Sequence, residues 1–187
     1  MKFRGYGLAV ALLAGCSGEP DLMPMRVGTS ITYVVTHGLQ RFVEPVKVTS
    51  SLPIMGRTGY EFTGPMGVSR LVWKDGVLYA SQAANARFYP PIPLVTLDGK
   101  GRKWQGRLES LDTVADATAE LNQKADKFSL GPRQISTTRS VLTVTMSRGS
   151  IELTTWFQSG VGIVQQEQRT GAELVLRMEM LGGPKAG

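Results

Sequence analysis

The chain has 187 residues, 42% of them hydrophobic and 19% charged, with a formal net charge of +6. These proportions fit an ordered globule and exclude a disordered chain, and the length favours one domain burying roughly two-thirds of its unfolded surface. A single cysteine and a single histidine exclude an intramolecular disulfide and any site built from several histidines.

The first element is a secretory signal pattern. A cationic head (Lys2, Arg4) precedes an apolar run from Leu8 to Leu13 and then small residues. The run is too short for a membrane-spanning helix, which needs about 20 apolar residues. Leu13-Ala14-Gly15-Cys16 resembles the lipobox of bacterial lipoproteins. The resemblance implies diacylglycerol on the thiol of Cys16, cleavage before Cys16 and acylation, commonly by palmitate, of the freed amine. It also disposes of the odd thiol, which is otherwise a liability in an exported protein. Cleavage removes Lys2 and Arg4 from the +6 total and leaves +4. By resemblance to enterobacterial sorting signals, Ser17 after the cysteine favours the outer membrane over the inner.

Residues 16–27, with Pro20 and Pro24 among small and acidic residues, read as a flexible tether. A β domain is expected over 28–181, because the hydrophobic period becomes two at Gly28: Ile31, Tyr33 and Val35 alternate with Thr32, Val34 and Thr36. His37 follows in what reads as an exposed turn. Pro45, within the run 39–49, predicts an edge strand or a bulge. Residues 68–74 and 77–81 flank Asp75-Gly76, which predicts a hairpin with a type I′ turn. Residues 83–93, with three prolines, must be extended or irregular.

Residues 111–125 fit two periods. Leu111, Val114, Thr118, Leu121 and Ala125 make a helical seam, whereas Ala115, Ala117, Ala119 and Leu121 make one face of a strand. The strand-like surroundings favour strand. A second hairpin is expected at Arg148-Gly149 and a bend at Thr170-Gly171, and residues 182–187 read as a frayed tail.

Residues 155–164, Thr-Trp-Phe-Gln-Ser-Gly-Val-Gly-Ile-Val, resemble the closing strand pair of small bacterial envelope β-domains that end T-W-[FY]-x-x-G-V-G-[IL]-V. Those domains also carry a Pro-rich passage before a Gly-x-x-W segment, matched here by Pro91 to Trp104. The resemblance spans residues 85–181 and implies curved antiparallel half-barrels similar to lipoprotein-carrier folds, most without an assigned activity.

Chemistry is sparse. The turn Asp98-Gly99-Lys100-Gly101-Arg102-Lys103 lacks the G-x-x-x-x-G-K-[ST] phosphate cradle. Glu109, Asp112, Asp116 and Glu120 are the densest carboxylates; Asp112, Asp116 and Glu120 would share one face of a strand, either as acid–base groups or, more commonly, as a polar exterior. No metal or other cofactor is implied. The aromatic residues Trp73, Tyr79, Phe88, Tyr89, Trp104 and Trp156 are either core or, in an open curved sheet, the lining of an apolar cleft for a ligand or partner.

The sequence thus predicts an all-β fold, a curved antiparallel sheet forming a half-barrel, open barrel or sandwich. The expected protein is a lipid-anchored lipoprotein of the cell envelope, facing the periplasm from the outer membrane. It acts as a non-enzymatic binding or scaffold module for an apolar ligand or an envelope protein. A hydrolase or lipid-modifying enzyme built on the Glu109–Glu120 carboxylates is the alternative. The membrane is the expected partner through Cys16, and export argues against nucleic acid.

Overall fold

The fold is known from a computed structural model, which describes residues 22–185 except 24 and 112. The signal segment, Cys16 and Asp112 lie outside the described residues. The strands are β1 (Ser30–His37), β2 (Gln40–Ile54), β3 (Arg57–Gly64), β4 (Gly67–Lys74), β5 (Val77–Ala83), β6 (Ala86–Thr96), β7 (Arg102–Ser110), β8 (Thr113–Leu130), β9 (Arg133–Met146), β10 (Gly149–Gln158), β11 (Gly162–Thr170) and β12 (Glu173–Lys185). Each pairs antiparallel with its neighbour in sequence, and β12 pairs back onto β1 to close a barrel.

Short turns explain this simple order. Asp75 and Gly76 have φ of 50° and 75°, and Ala84 and Asn85 have 48° and 73°. Positive φ at both central residues is the twist-matched turn that returns a strand onto its neighbour. The pairing is strongly staggered. The first half of β2 pairs with β1 as far as Lys47, and the second half pairs with β3 from Lys47 onward. Pro45 faces Thr32 of β1 in a part of β2 that β3 does not reach, so its missing N–H costs no ladder bond. Residues 113–130 are strand, with Ala117, Ala119 and Leu121 buried and Asp116, Thr118 and Glu120 exposed.

Two expectations are corrected. The stretch read as a free tether includes Met23 and Met25, which are 6% and 7% exposed and belong to the main core; thioether side chains fill irregular gaps that a strand end cannot. The tail does not fray at Gly182. It continues β12 to Lys185, with Gly182 opposite Thr32 and Lys185 opposite Ser30 across a bulge, because a closed barrel leaves the start of β1 needing a partner.

The proline strand departs from the regular ladder. Only Arg87, Phe88 and Tyr89 pair with β7, while the rest of β6 stays on β5. Side chains bridge the gap thus opened. The Gln123 side chain from β8 accepts from the Thr96 amide at 2.8 Å and donates to the Thr96 carbonyl at 2.7 Å. Ser140 of β9 donates to the Leu94 carbonyl, and Trp104 Nε1 donates to the Pro90 carbonyl at 3.0 Å. Ile92 and Val95 are fully buried, so this half of β6 lies within the barrel wall's inner layer.

Candidate functional site

The inward residues of most strands meet around a cavity of about 290 Å³. Alternation places them: Ile31 and Tyr33 on β1, Leu142 and Val144 on β9, Leu176 and Met178 on β12 all line it, while the residues between them face the other way. Ile92 and Leu94 contribute the part of the wall that β6 carries inward. Met23 from the N-terminal segment joins the lining, so the corrected tether is also part of this site.

The polar lining is small and uncharged. Tyr33 donates its hydroxyl to the Ile163 carbonyl at 2.8 Å, and burial pushes its ionisation well above the ordinary tyrosine range. Gln166 and Gln168 of β11, with Thr29 and Ser69, supply the other polar side chains. Gln166 Nε2 donates to Thr155 Oγ1 at 3.0 Å. Among the described residues, no charged side chain lines the cavity. Such a site can exclude water from an aliphatic group and orient it through a few neutral hydrogen bonds.

The six aromatic residues singled out in the sequence are dispersed. Phe88 lines the cavity. Trp104 packs edge-on behind it, with centroids 6.0 Å apart and rings at 79°, in the core rather than at the cavity surface. Trp73 is half-buried against the same core, and Tyr79 is half-buried on β5. Tyr89 is 49% exposed and borders a shallow outer groove with Arg107 and Asp116. Trp156 packs against Phe128 at 5.7 Å, beneath the Arg139 guanidinium, and donates to Asp126 Oδ2 at 3.3 Å. The cavity is therefore mainly aliphatic. The residues missed in the sequence, such as Leu142, Val144 and Leu153, were visible only as inward positions of strands.

The other sequence candidates sit outside. Asp116 and Glu120 are exposed on the outer face of β8, and Glu109 pairs with Arg107 at 3.3 Å. The glycine-rich turn closes on itself: Asp98 accepts from the Lys100 amide at 3.0 Å and from Arg102 at 2.8 Å. These bonds hold the Asp98 carboxyl well below the usual carboxylate range.

No family model and no curated protein matches the sequence. Solved structures do match its fold. A candidate lipoprotein of Parabacteroides distasonis superposes with a TM-score of 0.54 at 9% identity, covering 88% of this chain and 98% of that one. A candidate exported protein of Bacteroides fragilis, described as having a YmcC-like fold, gives a TM-score of 0.52 at 13% identity over 89% of this chain and 100% of that one. At these identities the likeness is one of fold. The hypothetical lipoprotein YmcC of Escherichia coli is a looser match, with a TM-score of 0.42 at 14% identity over 82% and 83%.

Proposed function

We propose that this protein is a lipid-anchored lipoprotein of the bacterial cell envelope whose barrel is a non-enzymatic binding module for an apolar ligand. Export through residues 1–15 and a diacylglyceryl thioether on Cys16 hold it at the membrane, and Ser17 directs it to the outer membrane, facing the periplasm. The names borne by the proteins of like fold, a candidate lipoprotein and a candidate exported protein, are in keeping with that location. The observation that carries the binding role is the aliphatic cavity itself: about 290 Å³ lined by side chains of β1, β9 and β12 among others, the concave and mainly apolar kind of site that takes small ligands.

The anchor is tested by intact mass and detergent phase separation of wild type and Cys16→Ser expressed in a bacterial host. Each buried acyl CH₂ contributes about 0.8 kcal/mol, and stable anchoring takes more than one chain. The wild type is expected to carry the diacylglyceryl mass and enter the detergent phase, and Cys16→Ser to stay aqueous; an unmodified, aqueous wild type refutes the anchor. The cavity is tested with the uncharged dye N-phenylnaphthylamine on the full Cys16→Ser chain. Saturable binding that is lost in Val144→Phe and Leu153→Phe, both of which fill the cavity, supports the reading. Binding that those variants leave untouched refutes it.

A further inference from the structure

Taking the cavity as a ligand site, as proposed above, we infer that it selects an acyl chain presented as an uncharged glycerol ester and rejects the free fatty acid. Two features of the lining point the same way. The wall is aliphatic, with Ile31, Leu142, Val144 and Met178 among its residues and no charged side chain among those described. An ionised carboxylate entering it would be desolvated with no cation to pair with, which is strongly unfavourable or forces the acid to take up a proton.

The second feature is the pair Gln166 and Gln168. Both line the cavity, and residues two apart on a strand project to the same face about 7 Å from each other. Gln166 spends an N–H on Thr155 Oγ1, which fixes its amide and leaves its carbonyl oxygen as an acceptor. Gln168 bonds to no side chain among the described residues and so offers both donor and acceptor. An ester carbonyl needs a donor and a glycerol hydroxyl needs an acceptor; these two amides supply both and carry no charge. Two neutral amides do little for a carboxylate, since an ionised group needs charge-assisted bonds to offset its burial. The modest volume, about 290 Å³, suits a single chain rather than a bundle, being just below the usual range of about 300–1,000 Å³ for small-ligand sites.

The experiment is a displacement titration on the full Cys16→Ser chain with N-phenylnaphthylamine as reporter and monodecanoylglycerol and decanoate as competitors of equal chain length. At a pH of about 8 the glyceride is expected to compete at least about tenfold better, since one unpaired buried charge outweighs that margin. Lowering the pH to about 5 should narrow the gap as decanoate gains a proton, while the glyceride is unaffected. Gln168→Leu should reduce the preference several-fold, with its unfolding midpoint showing whether the barrel is intact; Gln168→Asn, which keeps the amide, should retain part of it. Equal or tighter binding of decanoate at the higher pH overturns the inference while leaving the apolar site standing. A preference unchanged in Gln168→Leu and in Gln166→Leu overturns the role of the glutamines. If the reporter itself does not enter the barrel, the binding role fails and the selectivity with it.

Discussion

Replacing Gln123 by leucine should cost far more than its half-buried position on the inward face of β8 suggests. Its amide stands in for a missing strand: Thr96, only 2% exposed, has its N–H and its carbonyl satisfied by Gln123 at 2.8 and 2.7 Å. Leucine is of similar size, so the cavity contribution is small. What remains is a buried donor and a buried acceptor with no partner, each costing about 1–3 kcal/mol. The expected loss is therefore about 2–6 kcal/mol, a large part of the ~5–15 kcal/mol typical of a domain. Urea unfolding followed by tryptophan fluorescence measures it, with Asn122→Leu on the neighbouring exposed position as a control expected within about 0.5 kcal/mol of wild type. Amide exchange at Thr96 supplies an independent reading and should rise sharply in the variant. A loss below about 1 kcal/mol with unchanged exchange would show that water serves Thr96, and that β6 is not held to β8 in the way described.

Three further outcomes follow from the same region and its surroundings. Gly106→Ala should destabilise by about 1–3 kcal/mol, because a Cβ there would meet the Tyr89 carbonyl oxygen and approach Trp104 Cζ2 to 2.6 Å; an unchanged urea midpoint would mean that β6 and β7 are less closely apposed. Trp104→Ala should cost about 3–5 kcal/mol, since the ring is 8% exposed and packs on Phe88; a near-neutral result would move this tryptophan from core to ligand wall. The third concerns Tyr33, whose ionisation burial raises above the ordinary value of 10.0. The unfolded chain then loses the proton first, so stability is fully present below that value and falls as pH rises past it. Tyr33→Phe should flatten this alkaline fall in urea midpoint, and an equally steep fall in the variant would assign the effect to other groups.

Much of the fold was legible because turn chemistry and alternation are local. Asp75-Gly76 fixes a hairpin by its own backbone preference, and Ala117, Ala119 and Leu121 mark one face of β8 whatever lies across from them. Two errors arose where local cues are ambiguous. Met23 and Met25 sit beside prolines in a stretch without periodicity, and only the gap they fill gives them a place. Gly182 and Gly183 carry no strand signal at all; they are in β12 because β1 needs a partner.

The site was harder to read than the fold, for a reason that lies in how a barrel is filled. Every strand shows which residues point inward, but whether those side chains meet or leave space depends on strand number, stagger and the summed volume of the inner layer. Ala117 and Ala119 on β8 face inward with little bulk, and no residue of that strand reaches the cavity lining; β6 swings inward there and takes the space, with Leu94 held by Ser140 and Thr96 by Gln123. Elsewhere Met23 of the N-terminal segment joins the lining, and aliphatic side chains from β1, β9 and β12 face the cavity. Large aromatic residues were the natural guide in the sequence because they bury the most area, yet bulk is what closes a lumen. The same reasoning that makes Trp104 a good core residue makes it a poor cavity wall. The space is left instead by medium-sized residues such as Leu142, Val144 and Met178, whose inward direction is local but whose distance from the opposite wall is a property of the whole closed sheet.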